Sequence, residues 1–187
     1  MEILLAVLLG GFFGFALDRV GANNPNNIIN MLKLTDLRLM RIILGAIGVS
    51  SILMFGALSL GLMDVGHLSI KEAYTGVFVG GLILGVGFAL SGYCPGTGLT
   101  AFAVGRKDAL FFLLGGFVGA GLYMWSFQSI KDSFLFEKIL GGKVSLGVIE
   151  NSGYEAVFQG MNGNLIGIVL GLVFILLAWK LPAKLRG

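Results

Sequence analysis

Ser91-Gly92-Tyr93-Cys94-Pro95-Gly96-Thr97-Gly98 interrupts a chain that otherwise reads as lipid-soluble. An apolar run from Ala73 to Leu90 leads into it, and a short one from Leu99 to Val104 leads out before Gly105-Arg106-Lys107-Asp108. The interruption holds three glycines, a proline and the only cysteine of the chain. Backbone groups at membrane depth have no water to bond, so a non-helical break survives only inside protein or beside a watery cavity. A hydrophobic segment broken by Gly and Pro is the sequence pointer to a transport site. The loop is read as the active element.

Composition agrees with a bilayer. Of 187 residues, 56% are hydrophobic and 12% charged, against about 25% charged in soluble domains; the mean hydropathy is +0.92. Many of the 31 glycines lie inside apolar runs, as Gly80-Gly81, Gly85, Gly87 and Gly115-Gly116 do. Closely packed membrane helices use small residues in this way. One cysteine excludes an intrachain disulfide framework. One histidine, His67, read as a solvated loop residue, leaves no metal cluster and no His-based catalytic arrangement, and no cofactor is expected. No basic block suited to nucleic acid is present.

Outward from the loop, the sequence predicts an all-α integral membrane protein. It has about five transmembrane helices plus two short re-entrant or broken half-helices, arranged as an internal repeat in a single domain. The long apolar runs are Ile3–Leu17, Leu39–Met63, Ala73–Leu90, Ala109–Phe127 and Leu165–Leu181. The first lacks a basic leader and a cleavage site, and so is not read as a signal peptide. Asp18 to Asn27 is a polar stretch with turn chemistry, followed by a short amphipathic piece, Ile28–Leu34. Residues 128–164 form a polar, partly structured extramembrane segment. Tyr123, Trp125 and Trp179 read as an interfacial belt.

Gly14-Phe15-Ala16-Leu17 recurs as Gly87-Phe88-Ala89-Leu90. Each copy precedes a Pro-containing polar loop (Pro25, Pro95), a short apolar piece, a small charged patch and a long Gly-containing span. Repeat 1 covers about 3–63 and repeat 2 about 73–127. Broken helices within repeats are a transporter design.

Charge predicts the orientation. Residues 18–41, 106–108 and 180–186 share one side, with nine basic and three acidic residues, a balance of +6. The opposite side holds four basic and seven acidic residues, a balance of −3. The positive-inside rule then puts the N-terminus outside and the C-terminus in the cytoplasm. Arg41 and Arg106 read as interfacial anchors that are also placed to attract an anion at that mouth.

At the loop, Pro95 and Gly96 suit a turn, and Thr97 with the glycines opens a short helix. A helix N-terminus offers free N–H groups and a positive dipole end to an anion. Ser91, Tyr93 and Thr97 add hydroxyl donors, and Cys94 adds a weak donor with a polarizable sulfur, suited to a soft sulfur-bearing solute. The thiol must be protonated for this, because a thiolate would repel an anion. The blander reading of Cys94 is a small apolar filler, and that of Asn23, Asn24, Asn26 and Asn27 an ordinary exposed turn.

The run Gly87 to Gly98, with Gly105-Arg106-Lys107-Asp108-Ala109, resembles the cysteine motif of the YeeE/YedE family of membrane proteins, the sulphur transport domain. Gly14 to Leu17 through Asn24-Pro25 resembles the degenerate partner element of that family, so the resemblance covers residues 1 to about 127. It implies uptake of thiosulfate or a related sulfur anion through the inner membrane, without covalent catalysis. The cysteine would hand the anion along by S–H···S hydrogen bonds. The implied pathway residues are Cys94, Ser91, Gly92, Tyr93, Pro95, Gly96, Thr97, Asn24 and Pro25. Larger members have several such cysteines and about twice the length. The expected partners of this half-size chain are therefore membrane lipid, a second copy or another half-size subunit, and a cytoplasmic sulfur-carrier protein. Two other classes stand beside transport. One is a membrane sulfurtransferase or thiol-redox protein carrying sulfur on Cys94, with Lys107 as the only nearby activator. The other is a non-transporting scaffold.

Overall fold

The structure is a computed structural model that describes residues 2–139, 142–149 and 154–184; the His67 side chain lies outside the described set, as do Glu150 and Arg186 of the charge balance. In order, the helices are α1 (Glu2–Val20), α2 (Pro25–Leu32), α3 (Arg38–Ser59), α4 (Thr75–Ser91), α5 (Pro95–Ala103), α6 (Lys107–Ile130) and α7 (Gly163–Lys180). Two strands, β1 (Val144–Val148) and β2 (Glu155–Asn162), precede α7, and short 3-10 turns cover Val65–His67 and Phe134–Phe136.

Among the described residues, five segments are long and apolar enough to cross a membrane: α1, α3, the α4–α5 stretch Thr75–Ala103, α6 and α7. Their apolar side chains are largely exposed, as Phe12, Phe117 and Trp125 show. In water this would be costly, whereas lipid tails accept it. The chain is an all-α membrane protein. Its small sheet was not legible in the hydropathy of residues 128–164.

Some boundaries shift for local reasons. α3 ends at Ser59 rather than Met63, because Gly61 turns left-handed (φ +67°) and the Leu62 N–H reaches back to the Ala57 carbonyl at 2.9 Å. This is a glycine-terminated helix end. α4 starts at Thr75 because Ala73 is extended, donating to Gly142 at 2.8 Å and accepting from Ile139 at 2.9 Å.

Two compact units divide the chain. The second takes in Met40–Gly80 and Asp132–Ala183. Within it α3 and α7 meet backbone to backbone. A Cβ on Gly48 would fall 2.6 Å from the Gly171 carbonyl, and one on Gly171 would fall 2.8 Å from the Gly48 carbonyl. Ser51 donates to the Gly167 carbonyl at 2.8 Å, and Arg41 Nε to the Ala178 carbonyl at 3.0 Å. The strands pair in parallel, Val144 with Glu155 and Ser145 with Ala156, and the register shifts after Gly147.

The first unit takes in residues up to Leu39, Gly81–Lys131 and, among the described end residues, Lys184. Its centre is Tyr93, Ala101 and Ala109, all buried, with Phe112 packed on them. Gly98 lets α5 lie against α6, since a Cβ there would fall 2.5 Å from the Phe112 ring. Gly96 faces Leu17 and Phe13 of α1.

Candidate functional site

The interruption is a true break between α4 and α5. Ser91 closes α4, and its hydroxyl oxygen accepts from the Tyr93 N–H at 3.2 Å. Gly92 follows at φ +68°, a left-handed conformation open to glycine at no steric cost. Cys94 is the N-cap of α5 and Pro95 its first residue, where a missing N–H costs nothing.

Cys94 and Thr97 form a reciprocal capping box with sulfur in place of the usual hydroxyl oxygen. The Thr97 N–H donates to Cys94 Sγ at 3.4 Å, and the Cys94 N–H donates to Thr97 Oγ1 at 2.9 Å. Thr97 Oγ1 lies 3.2 Å from both the Cys94 carbonyl oxygen and Sγ, and its hydroxyl donates to these acceptors. The sulfur therefore serves the helix as an acceptor, and the cap makes no use of the thiol's own proton. Cys94 is half-buried, Pro95 exposed, Gly96 half-buried and Thr97 buried.

All three hydroxyls have partners within the protein. Ser91 and Thr97 bond within the loop, and Tyr93 reaches to the far end of α5. Its O–H donates to Asp108 Oδ2 at 2.8 Å, and it accepts from Arg106 Nε at 2.8 Å. Arg106 Nη2 pairs with Asp108 Oδ2 at 3.0 Å. This link was not foreseen; its trace is the Arg-x-Asp spacing just past α5.

The other proline loop lies against this one. A Cβ on Gly92 would fall 2.7 Å from Pro25 Cβ and 3.1 Å from the Pro25 carbonyl. Asn24 caps α2 by accepting from the Asn26 N–H at 3.1 Å, and Pro25 is its first residue. The half-helices share their endings too. Lys33 and Val104 are C-caps, each followed by a left-handed residue, Leu34 (φ 58°) and Gly105 (φ 87°). Next comes an ion pair two residues apart: Asp36 with Arg38 at 3.1 Å after α2, Arg106 with Asp108 after α5. The Arg38 N–H holds the Asp36 carboxyl below its ordinary value, with the Arg38 guanidinium and Lys184 adding to this against partial desolvation. Asn23, in the place of Tyr93, donates instead to Asp18 on its own helix end.

No group of three or more His, Cys, Asp or Glu side chains suited to a metal exists among the described residues. Two cavities of about 510 Å³ lie in the second unit, one lined by Ser51, Phe55, Ser145 and Ile166, the other by Leu58, Asn162 and Asn164. Cys94 lines neither.

A family model described as sulphur transport matches residues 24–186. The chain belongs to the sulphur transport family. This is the YeeE/YedE domain family, and the match extends beyond the residues that carried the resemblance, through the sheet and α7. Neither a curated protein nor a solved structure matches the chain. Sulphur-compound transport is what the sulphur transport family implies, and five segments among the described residues are long and apolar enough to cross a membrane, as in a multi-pass protein.

Proposed function

We propose that the protein carries a sulfur-bearing anion such as thiosulfate across the inner membrane, past the break that holds Cys94. The observation that carries this reading is the sulfur cap. With Sγ accepting from the Thr97 N–H, the S–H is left to donate to a soft anionic acceptor. The start of α5 adds its positive dipole end to the same place. Pro25 flanks the passage through its contact with Gly92, and Asn24 stands beside it as the N-cap of α2.

The pathway takes two chains, either two copies or two half-size subunits. Asn26, Asn27 and Asn30 on α2 are exposed. Polar side chains at membrane depth call for protein or water around them, and a second chain supplies it. The two half-helices descend from one duplicated unit: Asn24 and Cys94, Pro25 and Pro95, Asp36 and Arg106, and Arg38 and Asp108 all stand 70 residues apart. The N-terminus is outside and the C-terminus cytoplasmic. The grouping of segments by side is supported by the backbone bridge of Asp36 to Lys184, both on the positive side, and by that of Tyr74 to Lys138 and the bond from Tyr154 to the Leu68 carbonyl on the other; the positive-inside rule then sets which side is cytoplasmic.

The test is uptake of radiolabelled thiosulfate into vesicles holding the purified protein, beside Cys94→Ala and Cys94→Ser. Uptake that collapses in both variants supports a sulfur-selective site. Wild-type rates in both overturn it.

A further inference from the structure

We propose that Tyr93, Arg106 and Asp108 form a clasp that holds α5 at both ends and so positions the Cys94 thiol for its solute. The proposal rests on the transport reading above for its functional consequence, but not for its geometry. α5 has nine residues, Pro95–Ala103, two of them internal glycines. A helix this short is marginal unless held from outside, and each glycine weakens it further. Its first turn carries the sulfur cap, so fraying there would release Cys94 from Thr97.

The clasp opposes that fraying. Tyr93 stands one residue before the N-cap, and its ring is buried against Phe112, Ala101 and Ala109. From there its hydroxyl passes the length of the helix to Arg106 and Asp108, beyond the other end. Arg106 also donates its backbone N–H to the Ala101 carbonyl at 3.0 Å, tying itself to the last turn of α5. Asp108 lies in the first turn of α6. One hydroxyl thus joins the residue beside the cysteine, the end of the half-helix and the start of the next span. Both bonds of the Tyr93 hydroxyl involve a charged group, the stronger class of hydrogen bond. The first repeat has no counterpart, because Asn23 turns back to Asp18. The clasp belongs to the cysteine-bearing break alone among the described residues.

Tyr93, Arg106 and Asp108 are positioning residues. The test uses the full chain in vesicles as wild type, Tyr93→Phe, Asp108→Asn and the double variant. It reads the rate at which a methanethiosulfonate reagent modifies Cys94, with thiosulfate uptake in parallel. Tyr93→Phe keeps the ring packing and removes only the hydroxyl. Expected is a rise of about tenfold in labelling rate, the factor set by losing a hydrogen bond to a charged group, at an unchanged elution volume. The double variant should show little more than Tyr93→Phe alone, because the charge that Asp108→Asn removes acts on α5 through the hydroxyl that Tyr93→Phe has already removed. Uptake should lose maximal rate with KM nearly unchanged.

Wild-type labelling in Tyr93→Phe overturns the clasp, as do additive effects in the double variant. If Asp108→Asn fails to fold, Tyr93→Phe decides alone. If wild type takes up no thiosulfate while Tyr93→Phe labels faster, the clasp stands and the solute assignment falls.

Discussion

A Cβ added to Gly92 would fall 2.7 Å from the Cβ of Pro25, so the two breaks of the chain touch through a residue that has no side chain. The contact joins elements nearly seventy residues apart in sequence and sets the first proline loop beside the cysteine cap. Gly92 also holds φ +68°, so two separate costs meet at one position.

Gly92→Ala should therefore be among the most damaging single-methyl changes in the chain. A left-handed Ala costs roughly 1–2 kcal/mol, and the close approach to Pro25 adds about 1–3 kcal/mol of overpacking. Gly105→Ala is the matched control: φ is +87° but nothing lies within 4 Å of the new methyl. Thermal unfolding in detergent should show a much larger drop for Gly92→Ala. Equal drops would mean that the Pro25 contact is relaxed in the membrane protein.

Cys94 carries two roles that substitution can separate. Ser is a good N-cap, so Cys94→Ser should match or exceed wild type in stability. Cys94→Ala should lose about 1 kcal/mol with the cap. Uptake should collapse in both. A stable Cys94→Ser protein that transports normally would make the sulfur a capping atom and nothing more.

At the α3–α7 contact, Gly171→Ala puts a methyl 2.7 Å from Ile52 Cγ1 and 2.8 Å from the Gly48 carbonyl. A loss of about 1–3 kcal/mol is expected. Gly119→Ala, with open space around it in the single chain, should instead be neutral or gain up to about 1 kcal/mol of helix propensity. Unfolding midpoints of the two variants check the contrast.

Asp36 supplies a pH dependence of known sign. Its carboxyl sits below its ordinary value, chiefly through the Arg38 N–H. The stabilisation is thus present above the unfolded-state pKa and lost as pH falls through the lower folded value. The Asp36 side chain is only half-buried and its partner Arg38 is exposed, so the effect is small and screened by salt. Unfolding midpoints of wild type and Asp36→Asn should differ at neutral pH and converge in acid. A gap that widens on acidification would contradict the assignment.

Much of this was legible in sequence because lipid imposes its demands locally. A segment crosses the bilayer if its own residues are apolar over enough length, and α1, α3, α4, α6 and α7 fall within a few residues of the apolar runs. The break at Cys94, the prolines that start both half-helices and the short apolar pieces after them follow from turn and capping chemistry within a few residues. The sheet escaped because β1 and β2 lie in a mixed polar stretch without clean alternation.

What the sequence by itself determined is where the chain enters lipid, where it breaks and which residues cap the broken ends, since each depends on neighbours along the chain. Tertiary structure alone decided that Gly92 meets Pro25, that Gly48 meets Gly171 and that Tyr93 spans α5 to Asp108. Helices such as α1 and α7 are apolar on every side, so no periodicity marks the face that packs. Without a hydrophobic drive between helices in lipid, the choice falls to the fit of small residues and a few polar bonds, and those exist only once distant segments have come together.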